Sequence, residues 1–137
     1  MSSIIAKKEF RKPKPVDGLI RVLESLKGKK LLIAIKGYPD PDNISCALAL
    51  KWMGEQFSVQ SDILHFEKIS HHENRALVKK LDIDIIEYSE DFDFSVYSAT
   101  AINDSQSSDL PVELPQNCPL MIFVDHHKAL GLSLIHI

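Results

Sequence analysis

The sequence predicts an α/β fold, built as an open and mostly parallel sheet with helices on both faces. Short apolar runs of strand length alternate along the chain with segments whose apolar residues recur at helical spacing. This alternation is typical of a parallel sheet with crossover helices. The composition, with 45% hydrophobic and 26% charged residues, is that of a globular domain. At 137 residues, the chain has the length of about one domain.

A basic arm and a leading helix are predicted over residues 1–28. Pro15 suits the first turn of a helix, where a missing N–H costs nothing, and the apolar stripe that follows it ends at Gly28. Such an arm can contact phosphates, although a solvated leader is the more common role of a charged run. The chain as a whole carries a net charge of −3, and the basic residues of the arm are Lys7, Lys8, Arg11, Lys12 and Lys14.

Residues 29–131 supply the predicted sheet and its crossover helices. Between the first two strands a helix is predicted from residue 43 to 56, with Trp52 in its buried stripe. Another helix is predicted over residues 70–81, opened by a capping box. His65, inside the second strand, is predicted to be a half-buried structural residue. The strands themselves are predicted at residues 31–35, 58–66, 84–88, 95–103 and 119–124.

Acidic and imidazole side chains follow three of the predicted strands. Because the carboxyl ends of parallel strands lie on one edge of a sheet, we expect these side chains to converge on one crevice. Carboxylates and imidazoles without thiolates suit Mn²⁺, and less often Mg²⁺ or Zn²⁺. Several shared acidic ligands predict a two-metal site, with ions about 3.5–4 Å apart, of the phosphoesterase kind. The residues are Asp40 and Asp42 after the first strand, Asp104 after the fourth, and Asp125, His126 and His127 after the fifth.

Two prolines flank the first aspartate of this group. Pro39 and Pro41 bias Asp40 towards an extended conformation. In an extended chain the side chains of Asp40 and Asp42 point to opposite sides, which favours two adjacent ions over chelation of one. Taken alone, the pattern also fits a proline-rich turn with solvated aspartates. The acidic and imidazole groups further along the chain favour the metal site.

Two further side chains are weaker candidates for substrate binding. Ser45, near the start of the predicted helix, can donate to a phosphate from a helix N-terminus, although it is also an ordinary first-turn residue. Arg75 can bind phosphate, or it can pair with Glu73 or Asp82.

The cysteines and the apolar runs bear on the compartment. Cys46 and Cys118 show no CxxC spacing, so neither a disulfide framework nor a thiolate zinc site is implied. The N-terminus has too short an apolar core for a secretory signal, and no apolar run is long enough to span a membrane. We therefore expect a protein of the reducing cytoplasm with no membrane partner.

The motifs resemble those of the DHH phosphoesterase superfamily. The Val-Asp-His-His stretch at residues 124–127 resembles the family signature, and Pro-Asp-Pro-Asp at residues 39–42 resembles the first motif, His-x-x-Pro-Asp-x-Asp. Asp104, in an Ile-Asn-Asp-Ser-Gln stretch, resembles the aspartate of the second motif. Residues 69–76 are similar to a segment of the oligoribonuclease-like branch. Three motifs in this order are fairly specific, and the resemblance covers residues 29–130.

The resemblance implies a Rossmann-like fold and a manganese-dependent hydrolase, related to RecJ-like exonucleases and to oligoribonucleases that also act on nucleotide bisphosphates. Its substrate would be a nucleotide or a short oligonucleotide, hydrolysed by a water that two Mn²⁺ ions activate, with Mg²⁺ as the second choice of ion. The resemblance is also compatible with a homodimer of the full-length protein. Carried over by position, the metal ligands are Asp40, Asp42, Asp104 and His126, and the catalytic residues that orient or support them are Asp125 and His127.

One residue departs from the family pattern at the candidate site. Lys36 stands where the first motif has a histidine, and an ammonium group is not a metal ligand at neutral pH. Either the first metal loses a ligand, or the ammonium pairs with Asp40. The lysine at this position therefore also fits an alternative function, in which the protein has the same fold but binds nucleotides or regulates another activity without catalysis.

The end of the chain departs as well. Residues 132–137 correspond to CTG TCT CTT ATA CAC ATC, a string that resembles the transposon end used as a sequencing adapter. We expect residues 132–137 to be non-native, so that this chain follows the natural sequence only as far as about Gly131. The family has a fourth motif and a smaller C-terminal domain that these residues lack, so the expected fold is a truncated domain that is inactive by itself.

Overall fold

The computed structural model describes residues 15–67, 72–103 and 110–124. Five strands form one all-parallel sheet in the order β3-β2-β1-β4-β5. This is the strand order of the doubly wound Rossmann fold, and it confirms the predicted α/β class. In chain order the elements are α1 (Pro15–Ser25), β1 (Lys30–Ile35), α2 (Pro41–Gln56), β2 (Gln60–His65), α3 (His72–Lys80), β3 (Ile85–Glu87), a 3₁₀ turn (Phe94–Val96), β4 (Ala99–Asn103) and β5 (Leu120–Val124).

The first strand, β1, lies at the centre of the sheet. It pairs with β2 from Lys30 opposite Gln60 onwards, and with β4 from Leu31 opposite Ala99 onwards. All of its residues after Lys30 are buried, as expected of a parallel strand that is covered on both faces. The chain therefore builds outwards from β1 in both directions, first to β2 and β3 and then to β4 and β5.

The helices in the described ranges pack on one face of the sheet. They meet the odd-numbered residues of β1, and α3 adds Val78 to the edge of the same cluster. Successive side chains of a strand point to opposite faces, so the odd-numbered residues of β1 all lie on the face that the helices cover. The buried residues of this layer are Leu19, Leu23 and Leu26 from α1, Ile44, Ala47 and Leu50 from α2, and Leu31, Ile33 and Ile35 from β1.

Aromatic side chains from the β3–β4 connection cover the opposite face. Leu32 and Leu64 pack there against Tyr97 and Cys118, and the Tyr97 ring stacks on Phe92 with centroids 5.8 Å apart. No helix covers this face in the described residues. The β3–β4 connection covers it instead, with aromatic side chains that pack on the strands without forming an α-helix.

The starts of β4 and α2 differ from the prediction for reasons that the local contacts explain. Strand β4 begins at Ala99 rather than at residue 95. The Asp93 carboxylate accepts hydrogen bonds from the Ser95 N–H at 2.9 Å and from its hydroxyl at 2.6 Å, and this local cap draws the chain into a 3₁₀ turn. Helix α2 begins at Pro41 instead of residue 43, because the cap lies at Asp40.

Two side chains test the predicted core. Trp52 is 62% exposed, so its assignment to the core was wrong. The buried face of α2 runs through Ala47 and Leu50, and a residue two positions beyond Leu50 lies about 200° further round the helix. His65 is buried, and its Nδ1 lies 2.7 Å from the Glu67 carbonyl oxygen, in agreement with a structural role. Within the part of the chain that is described, no helix combines the length and apolar character needed to cross a bilayer.

A polar network joins β1, β2 and the segment that leads into β4. The Asp62 carboxylate accepts a hydrogen bond from the Tyr97 hydroxyl at 2.6 Å and lies 3.1 Å from the Lys30 ammonium. Burial alone would raise the pKa of Asp62, but the hydrogen bonds from Tyr97 and Lys30 and the charges of Lys30 and Lys51 outweigh it and lower that pKa. Burial and the bond to Asp62 raise the pKa of the Tyr97 hydroxyl, which therefore remains a donor.

Replacing Tyr97 by phenylalanine is expected to lower the free energy of unfolding by about 1–2 kcal/mol near neutral pH, because the Asp62 carboxylate loses a charge-assisted hydrogen bond. The pKa of Asp62 is lowered from 3.8 in the folded state, so its stabilisation is complete above the unfolded value and is lost as the pH falls through the folded value. Chemical denaturation should therefore show a large difference between wild type and Tyr97→Phe near neutral pH and a small one in strong acid. An equal difference at both extremes would contradict this account, and Tyr88→Phe, in the same aromatic cluster, is the control.

Candidate functional site

The candidate site lies at the carboxyl edge of the sheet, between β1 and β4. These strands are neighbours, but the chain leaves β1 towards β2 on one side and later enters β4 on the other. In open α/β sheets, ligands bind at such a switch point, outside the carboxyl ends of the strands. Residues 36–40, the first turn of α2 and the last residue of β4 are the described parts of this edge.

Asp40 is the N-cap of α2. Its backbone is extended, with φ −86° and ψ 172°, as the flanking prolines predict. One carboxylate oxygen, Oδ1, accepts a hydrogen bond from the Asn43 N–H at 2.8 Å, and the helix dipole favours the negative charge at this end. An ionised carboxylate has about four acceptor positions on its two oxygens, so the cap leaves coordination capacity on a half-buried group.

Asp42 does not lie in an extended loop. It is an exposed residue in the first turn of α2, so the predicted extended geometry of the Asp40–Asp42 pair was wrong beyond Asp40. The physical reason is Pro41, whose fixed φ is already that of a first helical residue. Ser45 lies further along the same helix and is exposed. Both aspartates thus belong to one helix N-terminus.

Lys36 follows the last residue of β1 and is half-buried. An ion pair in the described part of the chain joins Lys30 to Asp62, and Lys36 makes none with Asp40. Of the two alternatives for Lys36, pairing with Asp40 is therefore not observed. Lys36 thus lies four residues before the capping aspartate without contacting it as an ion pair.

Two asparagines that the sequence did not single out tie this edge together. The Asn103 amide nitrogen, at the end of β4, donates to the Asn43 carbonyl oxygen at 3.0 Å. The Asn43 amide nitrogen donates in turn to the Tyr38 carbonyl oxygen at 2.8 Å. The loop after β1, the first turn of α2 and the end of β4 are thereby held in one arrangement.

The amide oxygens of these asparagines are buried without a partner. Asn43 is 6% exposed and Asn103 is 1% exposed, and neither Oδ1 has a hydrogen-bond partner among the residues that are described. A buried acceptor left unpaired costs about 1–3 kcal/mol. The signal in the sequence is a polar residue closing the apolar strand β4, directly before Asp104.

Four of the predicted site residues lie outside the described residues, namely Asp104, Asp125, His126 and His127. In the sequence, Asp104 directly follows the last residue of β4, and Asp125 directly follows the last residue of β5. Arg75 lies in α3, the crossover that follows β2, and is exposed. Over residues 15–67, 72–103 and 110–124, no group of three or more His, Cys, Asp or Glu side chains is placed to hold a metal ion.

The potential metal ligands among the described residues of this edge are oxygen atoms. Asp40 and Asp42 supply carboxylates, and Asn43 and Asn103 supply amide oxygens that lack a partner. Hard cations such as Mg²⁺ and Mn²⁺ take carboxylate and carbonyl oxygens. The buried, unpaired amide oxygens therefore fit a divalent cation at this edge.

Comparison with known proteins shows similarity to part of an archaeal protein. No protein-family model matches the chain, and no solved structure matches it. The chain is 39% identical, over 111 residues, to an uncharacterised protein of Methanocaldococcus jannaschii. The alignment covers 80% of this chain and 22% of that protein. The chain thus spans less than a quarter of the length of the curated relative that it matches.

Proposed function

We propose that the chain is part of a metal-dependent phosphoesterase that hydrolyses phosphate esters of nucleotides or short oligonucleotides. The observation that carries the proposal is the position of Asp40. This residue caps α2 at the switch point, beside the end of the strand that Asp104 directly follows in the sequence. Open α/β folds bind their ligands at this position, and paired carboxylates there suit a phosphoesterase metal site.

The proposed roles follow the order of the motifs. Asp40, Asp42, Asp104 and His126 hold the metal ions, and Asp125 and His127 orient them or support the phosphate. Two Mn²⁺ ions, or Mg²⁺ as the second choice, supply Lewis acidity and an activated water when bound. The positive end of the α2 dipole attracts a phosphate anion, with Ser45 as a further donor, and Arg75 is the candidate guanidinium from the neighbouring crossover.

A second candidate function rests on Lys36. Its half-buried ammonium replaces an imidazole ligand and makes no ion pair with Asp40. A fixed positive charge next to a cation site opposes cation binding. A protein of this kind would bind nucleotides without hydrolysing them.

Phosphate release from adenosine 3′,5′-bisphosphate and cleavage of a diribonucleotide separate the two functions. The enzyme hypothesis predicts Mn²⁺-dependent turnover that EDTA abolishes. Mn²⁺ binding by the chain is expected as well. Nucleotide binding without any product would favour the binding module, and turnover undiminished by EDTA would contradict the metal mechanism.

A further inference from the structure

The amides of Asn43 and Asn103 present only acceptors to a ligand. Both amide nitrogens already donate, one to the Tyr38 carbonyl and the other to the Asn43 carbonyl. What remains on each side chain is an oxygen without a partner in the described residues. An oxygen acceptor attracts cations and N–H or O–H donors, and it repels the oxygens of a phosphate.

The burial of these side chains limits the size of the ligand. Asn103 is 1% exposed and Asn43 is 6% exposed, so neither offers a surface on which a nucleobase or a sugar could lie. A ligand of these oxygens must therefore be no larger than one atom or one water molecule, and it needs several polar partners. A divalent cation and the water bound to it meet both conditions.

The position of Asn43 and Asn103 near Asp40 favours a cation over an uncharged water as the ligand. The Asn43 N–H donates to the Asp40 carboxylate at 2.8 Å, so the unpaired amide and the capping aspartate belong to the same helical turn. Asn103 reaches that turn from the end of β4. The two unpaired amides and the Asp40 carboxylate are thus linked through the first turn of α2 at the switch point, and a positive charge bound there would satisfy all of these oxygens.

We propose that the side-chain oxygens of Asn43 and Asn103 help to hold a divalent cation beside Asp40, as ligands or through one of its water molecules. The inference rests on the proposed function, since it adds two residues to the same site. Asn103 also acts as a positioning residue, because its nitrogen fixes the first turn of α2 against β4. Its oxygen and its nitrogen thus have separate roles that substitutions can distinguish.

Two substitutions at position 103 separate these roles. Asn103→Leu removes both the oxygen and the donor, whereas Asn103→Asp removes the donor but keeps an oxygen and adds negative charge. Binding of Mn²⁺ is measured by the loss of the free-ion electron paramagnetic resonance signal, on folded wild-type and variant chains. We expect Asn103→Leu to weaken Mn²⁺ binding by about tenfold or more, in the range found for residues that support metal ligands, and Asn103→Asp to retain or strengthen it.

Ser61 supplies the matched control. Its hydroxyl is also buried without a partner in the described chain, but it lies in the first half of β2, away from the carboxyl edge. Ser61→Ala should leave Mn²⁺ affinity unchanged. If Asn103→Leu does not fold, Asn103→Ser replaces it, and the same weakening is expected because the shorter side chain cannot reach the cation.

The outcomes are distinct. If wild type binds Mn²⁺ and Asn103→Leu binds it equally well, the oxygens pair with an ordinary buried water and the inference is overturned, while the proposed function stands. If Asn103→Asp weakens binding as much as Asn103→Leu, only the positioning by the nitrogen matters, and the role of the oxygen is overturned. If wild type binds no Mn²⁺, the proposed function fails together with the inference.

Discussion

Replacing Asp40 by asparagine is expected to weaken Mn²⁺ binding by about 100-fold or more while leaving the fold intact. Residues that merely support metal ligands cost about 10–100-fold when lost, so a direct ligand should cost at least as much. The fold should survive because asparagine caps helices as well as aspartate does, and the bond from the Asn43 N–H can persist. Isothermal titration with Mn²⁺ and thermal melting of the apo protein measure the two properties separately.

Asp93 provides a control with the same local role. It caps the 3₁₀ turn by accepting a hydrogen bond from the Ser95 N–H at 2.9 Å, and it lies before β4 rather than at the carboxyl edge. Asp93→Asn removes the same charge from a similar cap, so it should not change Mn²⁺ affinity. Equal weakening by both variants would show a general effect of net charge and would contradict a metal site at Asp40.

Replacing Lys36 by histidine is expected to tighten Mn²⁺ binding by about tenfold or more. The substitution removes a positive charge, whose repulsion of a divalent ion amounts to about 4 kcal/mol for an assumed separation of about 8 Å and an effective dielectric of about 20. It also supplies an imidazole, which is a good ligand for first-row metals. If the natural polypeptide is inactive because this ligand is missing, the same change should produce phosphate release from adenosine 3′,5′-bisphosphate.

Two further lysine variants separate the parts of this effect. Lys36→Gln removes the charge without adding a ligand, so it should tighten Mn²⁺ binding less than Lys36→His does. Lys51→Gln removes a charge from the later part of α2, and it should leave Mn²⁺ affinity unchanged. Unchanged or weaker binding by Lys36→His would contradict the assignment of position 36 to the metal site.

The sheet could be predicted from the sequence because each strand is an apolar run with its own local signals. The run that ends at Ile35 is fully buried from Leu31 onwards, and the break at Gly28 has the positive φ of 77° that favours glycine. The start of β4 could not be predicted in this way. At residues 95–98, the side chain of Asp93 provides a turn that competes with the strand pattern.

Helix α2 shows a different limit. Its apolar residues surround the helix, so their spacing does not reveal which side meets the sheet. Leu50 is buried and Trp52 is exposed, although both belong to the apolar pattern. Only the packing of α2 on β1 and β2 decides between them.

The candidate site was predictable in part. The flanking prolines correctly predict an extended Asp40. Asp42, in contrast, lies in helix α2, because the helix begins at Pro41 and not at residue 43 as predicted. The bond between Asn103 and Asn43 joins residues that are 60 positions apart, and no local pattern encodes such a contact. Single polar residues at strand ends become informative only when the strand order is known.

Anomalous diffraction from crystals soaked in Mn²⁺ tests the shared metal site most directly. We expect two peaks about 3.5–4 Å apart at the carboxyl edge between β1 and β4. One of them should lie about 2.0–2.6 Å from a carboxylate oxygen of Asp40, with the oxygen of Asn103 in contact with the ion or its water. Peaks at other surfaces alone, or an edge without any peak at saturating Mn²⁺, would contradict the shared metal site.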